Sequence, residues 1–152
     1  MVTSRSITST RSTGRLAARI VMTLLGAAGL VVGAVLTWTD GILGTDLSVR
    51  ALYQTTFEES DSFVRTVGFV AVVLGLSALV GLLNPTGWLT RMAGMLGVVM
   101  FVLFAVQVYR SDTHEIDTGA WLAAAGAVVA LVGGFFGHPR LLVWRVPPGR
   151  YR

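Results

Sequence analysis

Four apolar runs that contain no charged residue set the terms on which this chain can fold. They are "IVMTLLGAAGLVVGAVLTW" at about 20–38, "TVGFVAVVLGLSALVGLL" at about 66–83, "MAGMLGVVMFVLFAVQVY" at about 92–109 and "GAWLAAAGAVVALVGGFFG" at about 119–137. A helix needs about 20 mostly apolar residues to cross the hydrocarbon of a bilayer. Within lipid, a helix satisfies its own backbone hydrogen bonds, which an open strand does not. The chain has 152 residues, 53% hydrophobic and 13% charged, with a mean hydropathy of +0.70. Globular chains carry roughly 25% charged residues, so a water-soluble domain would have to hide nearly all of this apolar surface in one small core. The expectation is an all-α membrane protein with four transmembrane helices in an antiparallel bundle. The first run is read as a retained span rather than a cleaved leader, because the apolar core of a leader is only about 7–15 residues long.

Charge then gives direction. Arg5, Arg11, Arg15 and Arg19 precede the first span, Arg91 lies between the second and third, and Arg140, Arg145, Arg150 and Arg152 follow the fourth. No acid occurs in those segments. All eight acids lie in the other two loops: Asp40, Asp46, Glu58, Glu59 and Asp61 in the first, then Asp112, Glu115 and Asp117 in the second. Arg-rich loops stay cytoplasmic, which places both termini inside and the loops 39–65 and 110–118 outside. The isoelectric point near 10.7 is explained by this topology, and no zinc-finger or RNA-binding signature accompanies it; nucleic acid is not an expected partner.

Aromatic residues agree with that scheme. Trp38 and Trp121 fall at outer ends of spans, Trp88 and Trp144 at the inner face, and all four are expected to act as interface anchors. Trp88 sits in "NPTGWLTR", where Pro85 and Gly87 imply a tight turn between the second and third spans. In the first outer loop, "GTDLSVRALY" at 44–53 reads as the start of a short amphipathic helix, with Thr45 or Asp46 as its cap and Leu47, Ala51 and Leu52 on one face.

Packing in lipid relies on close backbone approach through small residues, because lipid is as apolar as Leu. Thirteen of the eighteen glycines fall inside the four spans. Gly29 and Gly33 form a GxxxG pair, Ser77 and Gly81 share that spacing, and Gly126, Ala130 and Gly134 form a ladder every four residues. These seven positions are the expected helix-packing residues; their spacing leaves open whether they face their own chain or a second subunit.

Chemistry is scarce by comparison. Intramembrane ionisable residues mark proton relays and ion paths, and none lies in the four runs. Their polar groups are Thr23, Thr37, Thr66, Ser77 and Gln107. The two histidines, His114 and His138, are assigned to opposite faces and cannot share one iron or zinc. There is no Cys, which removes disulfides and thiolate metal sites. The acidic "FEESDSFVR" at 57–65 offers oxygens but lacks the glycine turn and alternating spacing of a calcium loop. No catalytic residue, metal site or cofactor is expected.

The tails differ from the spans. Residues 1–15 are rich in Ser, Thr and Arg and are expected to be a disordered cytoplasmic tail. Residues 139–152 mix apolar side chains with Arg140, Arg145, Arg150 and Arg152, a composition that suits the inner leaflet, with arginines near anionic phosphates.

At the fourth span, "IDTGAWLAAAGAVVALVGGFFG" resembles the last helix of small uncharacterised four-span actinobacterial membrane proteins. An acidic loop precedes Gly-x-Trp-Leu and a Gly/Ala/Val helix; "GTDLSVRALY" is similar to their first outer loop. The resemblance implies a plasma-membrane location and brings no activity with it. The functional expectation is an accessory or scaffold subunit working through helix–helix contacts, in partnership with the bilayer and with another membrane protein or copies of itself. The alternatives are a small oligomeric channel or transporter, and an envelope sensor using the acidic first loop.

Overall fold

The computed structural model describes residues 9–84, 86–111 and 114–136. The expectations for Trp144, Arg140, Arg145, Arg150 and Arg152, for the first eight residues, and for Pro85, Asp112 and His138 lie outside the described residues. Four α-helices dominate: α1 (Ser9–Val35), α2 (Val67–Val80), α3 (Trp88–Ser111) and α4 (Thr118–Phe135). Three helical stretches, Gly14–Val35, Trp88–Ser111 and Thr118–Phe135, are long and apolar enough to cross a membrane. The fourth apolar stretch is shorter. It comprises α2 and a 3-10 turn at Gly81–Leu83, and spans about 27 Å by ideal helical rise against about 36 Å for α3.

Small residues decide where the helices touch. Along α1 and α4, which share the most extensive interface, Gly26 meets Ala130, Gly29 meets Gly126, Gly33 meets Ala123 and Leu36 meets Gly119. The residue numbers rise on one helix as they fall on the other. The same reversal holds between α3 and α4, where Gly94 meets Leu131 and Gly97 meets Ala127. Helix α2 closes on α1 through Gly75, which lies against Ala27 and Val31, and on α3 through Thr90, whose hydroxyl donates to the Ala78 carbonyl at 3.3 Å. The interior between the helices is correspondingly small-chained: Ala27, Ala78, Ala93 and Ala130 are buried together.

Many large apolar side chains are turned outward, although Leu30 and Phe104 are fully buried. Leu25 is 62% exposed, Leu83 85% and Phe135 65%. A water-soluble bundle inverts this arrangement, because burying a Leu side chain from water contributes about 1.5–3 kcal/mol. Small residues inside and large apolar residues outside suit an apolar solvent, and the fold is that of an all-α membrane protein.

The first connection, residues 36–66, departs from the all-helical expectation. Thr37–Thr39 (β1) and Ile42–Leu43 (β2) form a two-stranded antiparallel hairpin. Asp40 and Gly41 turn it with φ of 47° and 81°. Two consecutive positive φ values are what a two-residue hairpin loop of this twist requires, and Asp-Gly is a preferred pair for it.

The short amphipathic helix expected at 44–53 reduces to a 3-10 turn at Val49–Leu52, capped by Ser48 rather than Thr45 or Asp46. The reason is competition for backbone groups. Ser48 N–H donates to Glu58 at 3.1 Å, Ser60 N–H donates to Asp46 at 2.7 Å, and Val67 N–H donates to Leu47 at 2.9 Å. The segment around Leu47 is therefore bridged to both 58–60 and 66–67, and those bonds use backbone groups that a longer helix would need. Leu47 and Ala51 still share one face, as the pattern implied. They are buried in one cluster with Trp38, Val67, Ala71, Met100, Phe104 and Val108. The first connection thus packs over the start of the short α2, alongside the last turns of the longer α3.

Candidate functional site

Two ends of the molecule carry its polar structure. At the end where α2 and α4 finish, arginines close the helices. Arg19 is only 4% exposed. Its Nη2 donates to the Gly81 carbonyl at 2.8 Å and also to the Asn84 carbonyl. Arg91 Nε donates to the Gly134 carbonyl at 2.8 Å, and its guanidinium lies 4.7 Å from the centre of the Phe135 ring. The last carbonyls of a helix lack intrahelical donors and carry partial negative charge. A guanidinium supplies both hydrogen and charge. Sequence reasoning assigned these two arginines to topology; their second role depends on which helix ends lie beside them.

The turn between α2 and α3 is also fixed there. Gly87 N–H donates to Asn84 at 3.1 Å, and Gly87 has φ of 66°. A Cβ at that position would lie 2.6 Å from the Gly134 carbonyl oxygen, so both conformation and proximity call for glycine.

The expected packing residues fall as follows. Gly29, Gly33, Gly126, Ala130 and Gly134 all lie on contacts of α4 with α1 or α3, Gly134 against Arg91. Gly81 abuts Thr90 of α3. Ser77 is half-buried on α2. The span-four ladder therefore faces its own chain. Of the expected interface anchors, Trp88 and Trp121 are outward, 61% and 55% exposed. Trp38 is not: it is fully buried. Its Nε1 donates to the Gly33 carbonyl at 2.8 Å, and Phe104 packs edge-on at 5.1 Å between centroids. The hairpin that follows turns the ring under the first connection, where the end of α1 satisfies the indole N–H instead of interfacial water.

At the opposite end, the hairpin, the first connection and the 111–117 connection interlock. Asp117 N–H donates to the Trp38 carbonyl at 2.9 Å, and Gly41 N–H donates to Asp117 Oδ2 at 3.4 Å. His114 Nε2 lies 3.2 Å from Asp40 Oδ2, Nδ1 lies 3.2 Å from Ser111 Oγ, and the ring packs on Phe57 at 4.6 Å. The second connection, expected as the outer loop 110–118, is tied to the hairpin by these contacts.

The first connection also holds a polar cavity of about 220 Å³. Glu58, Glu59, Asp61, Thr56, Ser60 and Ser62 line one part of it; Ser48, Arg50 and Arg65 complete it. Ser48, Arg50 and Arg65 also border a second cavity of about 350 Å³, whose other walls are Val49, Tyr53 and Val64. The acids do not converge: among the described residues, no group of three or more His, Asp or Glu side chains is placed to hold a metal ion. Nor does either arginine pair with an acid, since among the described residues the ion pair within 4 Å is His114–Asp40. The "FEESDSFVR" segment is thus the wall of a mixed-charge cavity, not a convergent cation loop. Only closure of 58–60 onto 46–48 creates that cavity, and the linear sequence carries no signal for it.

A third hollow, of about 310 Å³, lies on the outer face of α3 and α4 between Phe101, Trp121, Val98 and Val128. It is apolar and belongs to the surface already described as facing an apolar solvent. No family model, curated protein or solved structure matches this chain.

Proposed function

We propose that this chain is a four-span bacterial plasma-membrane protein, an antiparallel bundle with both termini cytoplasmic, that serves as an accessory or scaffold subunit. Its working surface is the folded first connection, held at the outer face. The observation that carries this reading is the anchoring of that connection: Leu47, Ala51 and Trp38 are fully buried in the same core as Phe104 of α3. A loop fixed into the bundle presents a constant polar surface, as contact recognition requires. α2 crosses with its start beneath the first connection, which makes up for its shorter length. Arg19 and Arg91 support the orientation, since they gather at the end where the positive-inside rule puts the cytoplasm. The glycine seams are consumed within the chain, so contacts with a partner pass through the outward faces and the first connection.

Reporter fusions test the topology. Fusions after Asp61 and after Arg152 are expected to report opposite sides of the membrane, and same-side reports contradict the four-span arrangement. Purification from native membranes in mild detergent tests the role. Co-purification of a stoichiometric membrane partner supports it, whereas a monodisperse monomer that recovers no partner counts against it.

A further inference from the structure

The two adjoining cavities of the first connection share Arg50 and Arg65. These residues belong to neighbouring 3-10 turns, Val49–Leu52 and Phe63–Arg65, brought together by the bridge between Ser48 and Thr66. Both arginines are exposed, and among the described residues neither has a carboxylate within 4 Å. Two arginines that border the same two cavities offer donors to one anion. Phosphate oxygens suit the planar fork of a guanidinium, which can donate to two of them at once.

What lies on either side of the arginines narrows the ligand. On one side stand Glu58, Glu59 and Asp61, acids without ion-pair partners that an ammonium group would satisfy. On the other stand Val49, Tyr53 and Val64, with Tyr53 62% and Val64 63% exposed. The acids border only the first cavity, the apolar side chains only the second, and the two arginines both. A phospholipid whose headgroup ends in a primary ammonium presents the complementary order: acyl and glycerol carbons, phosphate, ammonium. Val64 and Arg65 also lie just before Thr66, the cap of α2, the depth at which such a headgroup would lie.

We propose that the first connection binds an aminophospholipid of the outer leaflet, with the phosphate between Arg50 and Arg65, the ammonium toward Glu58, Glu59 and Asp61, and the apolar part against Val49, Tyr53 and Val64. This rests on the membrane topology proposed above. It deepens that reading by giving the anchored surface a ligand.

The test uses the full chain, delipidated in mild detergent and titrated with phosphatidylethanolamine, phosphatidylcholine or phosphatidylglycerol of one chain length. Native mass spectrometry counts the retained lipid. Phosphatidylethanolamine is expected to bind about tenfold more tightly than either of the others. Phosphatidylcholine lacks N–H donors, and phosphatidylglycerol lacks the cation. The double variant R50Q/R65Q is expected to lose that binding, and E58Q/E59Q/D61N to bind phosphatidylethanolamine no better than phosphatidylglycerol. Equal retention of the three lipids by the unaltered protein overturns the proposal without reliance on any variant. So does unchanged binding by R50Q/R65Q. Displacement of the lipid by soluble phosphoethanolamine at equal concentration also overturns it, because the ligand would then be the free phosphoamine. Alkaline extraction separates the two readings. Release of the protein from membranes removes the topology and this proposal together, whereas retention with no headgroup preference removes this proposal alone.

Discussion

Gly29 and Gly126 meet backbone to backbone: a Cβ built on Gly29 would lie 2.8 Å from Gly126 Cα, and one built on Gly126 would lie 2.7 Å from Leu30 N. Neither neighbour is the tip of a flexible side chain, so neither can move aside alone. Gly126→Leu must therefore push α1 and α4 apart. Overpacking of this kind costs about 1–3 kcal/mol, and a backbone obstacle places the expected loss at the upper end. Thermal unfolding in mild detergent measures it. Gly14→Ala is the control, since nothing lies within 4 Å of a Cβ at Gly14; it is expected to be neutral or stabilising by about 0.5–1 kcal/mol through helix propensity. Equal effects of the two substitutions would contradict the seam.

Arg19 and Arg91 make a second pair of expectations. Arg19→Met keeps much of the side-chain volume and removes the donor to Gly81 and Asn84. Hydrogen bonds involving a charged group contribute about 1.5–3 kcal/mol, and a loss of that size is expected. Arg91→Met should cost less, because Arg91 is half-buried whereas Arg19 is only 4% exposed. The check is the order of the two unfolding temperatures. If Arg91→Met proves the more damaging, the assignment of Arg19 as the buried closure of α2 is wrong.

What the sequence made legible follows from which forces act locally. The apolar runs were readable because lipid acts on each segment by itself; each of the four described α-helices overlaps one of them, and three reach membrane-crossing length. The glycine spacing picked out contact positions, since an interval of four residues keeps Gly126 and Ala130 on one helix face whatever they touch. Their partners were not readable; only tertiary closure sets Gly29 against Gly126. The hairpin had a signal, Asp40-Gly41, but strands of three and two residues are too short to show alternation. Trp38 was misplaced for a related reason. Its position at the end of an apolar run suggested the interface, while the turn two residues later folds the chain back over it.

That hairpin yields a third expectation. Gly41 has φ of 81° and open space around it, so a side chain there meets strain but no clash. Gly41→Val is expected to destabilise by about 1–2 kcal/mol, the cost of a left-handed backbone in an L-residue. Gly41→Asn should be milder, because Asn tolerates that region. Hydrogen exchange at Gly44, whose N–H donates to the Leu36 carbonyl at 3.0 Å, reports whether the hairpin remains closed. Comparable protection in both variants would show that the turn conformation does not hold it.

Trp38 allows the buried site to be read optically. Three single-tryptophan variants can be prepared, each retaining Trp38, Trp88 or Trp121, and reconstituted in bilayers with brominated acyl chains. Bromine quenches an indole it approaches closely. Trp121, 55% exposed beside Phe101 on the outward face, is expected to be strongly quenched. Trp88, 61% exposed at the start of α3, should be quenched most by bromine placed near the headgroups. Trp38, with no exposed surface and its N–H bonded to Gly33, should remain bright at every bromine depth. A Trp38 quenched as strongly as Trp121 would mean that the ring faces lipid and that the first connection does not cover it. A bright Trp38 that becomes quenched on Leu47→Ala would tie its shielding to the first connection, because Leu47 belongs to the same buried cluster. Truncating a buried Leu costs about 2–5 kcal/mol, enough to loosen that cover while the glycine seams of α1 and α4 remain intact.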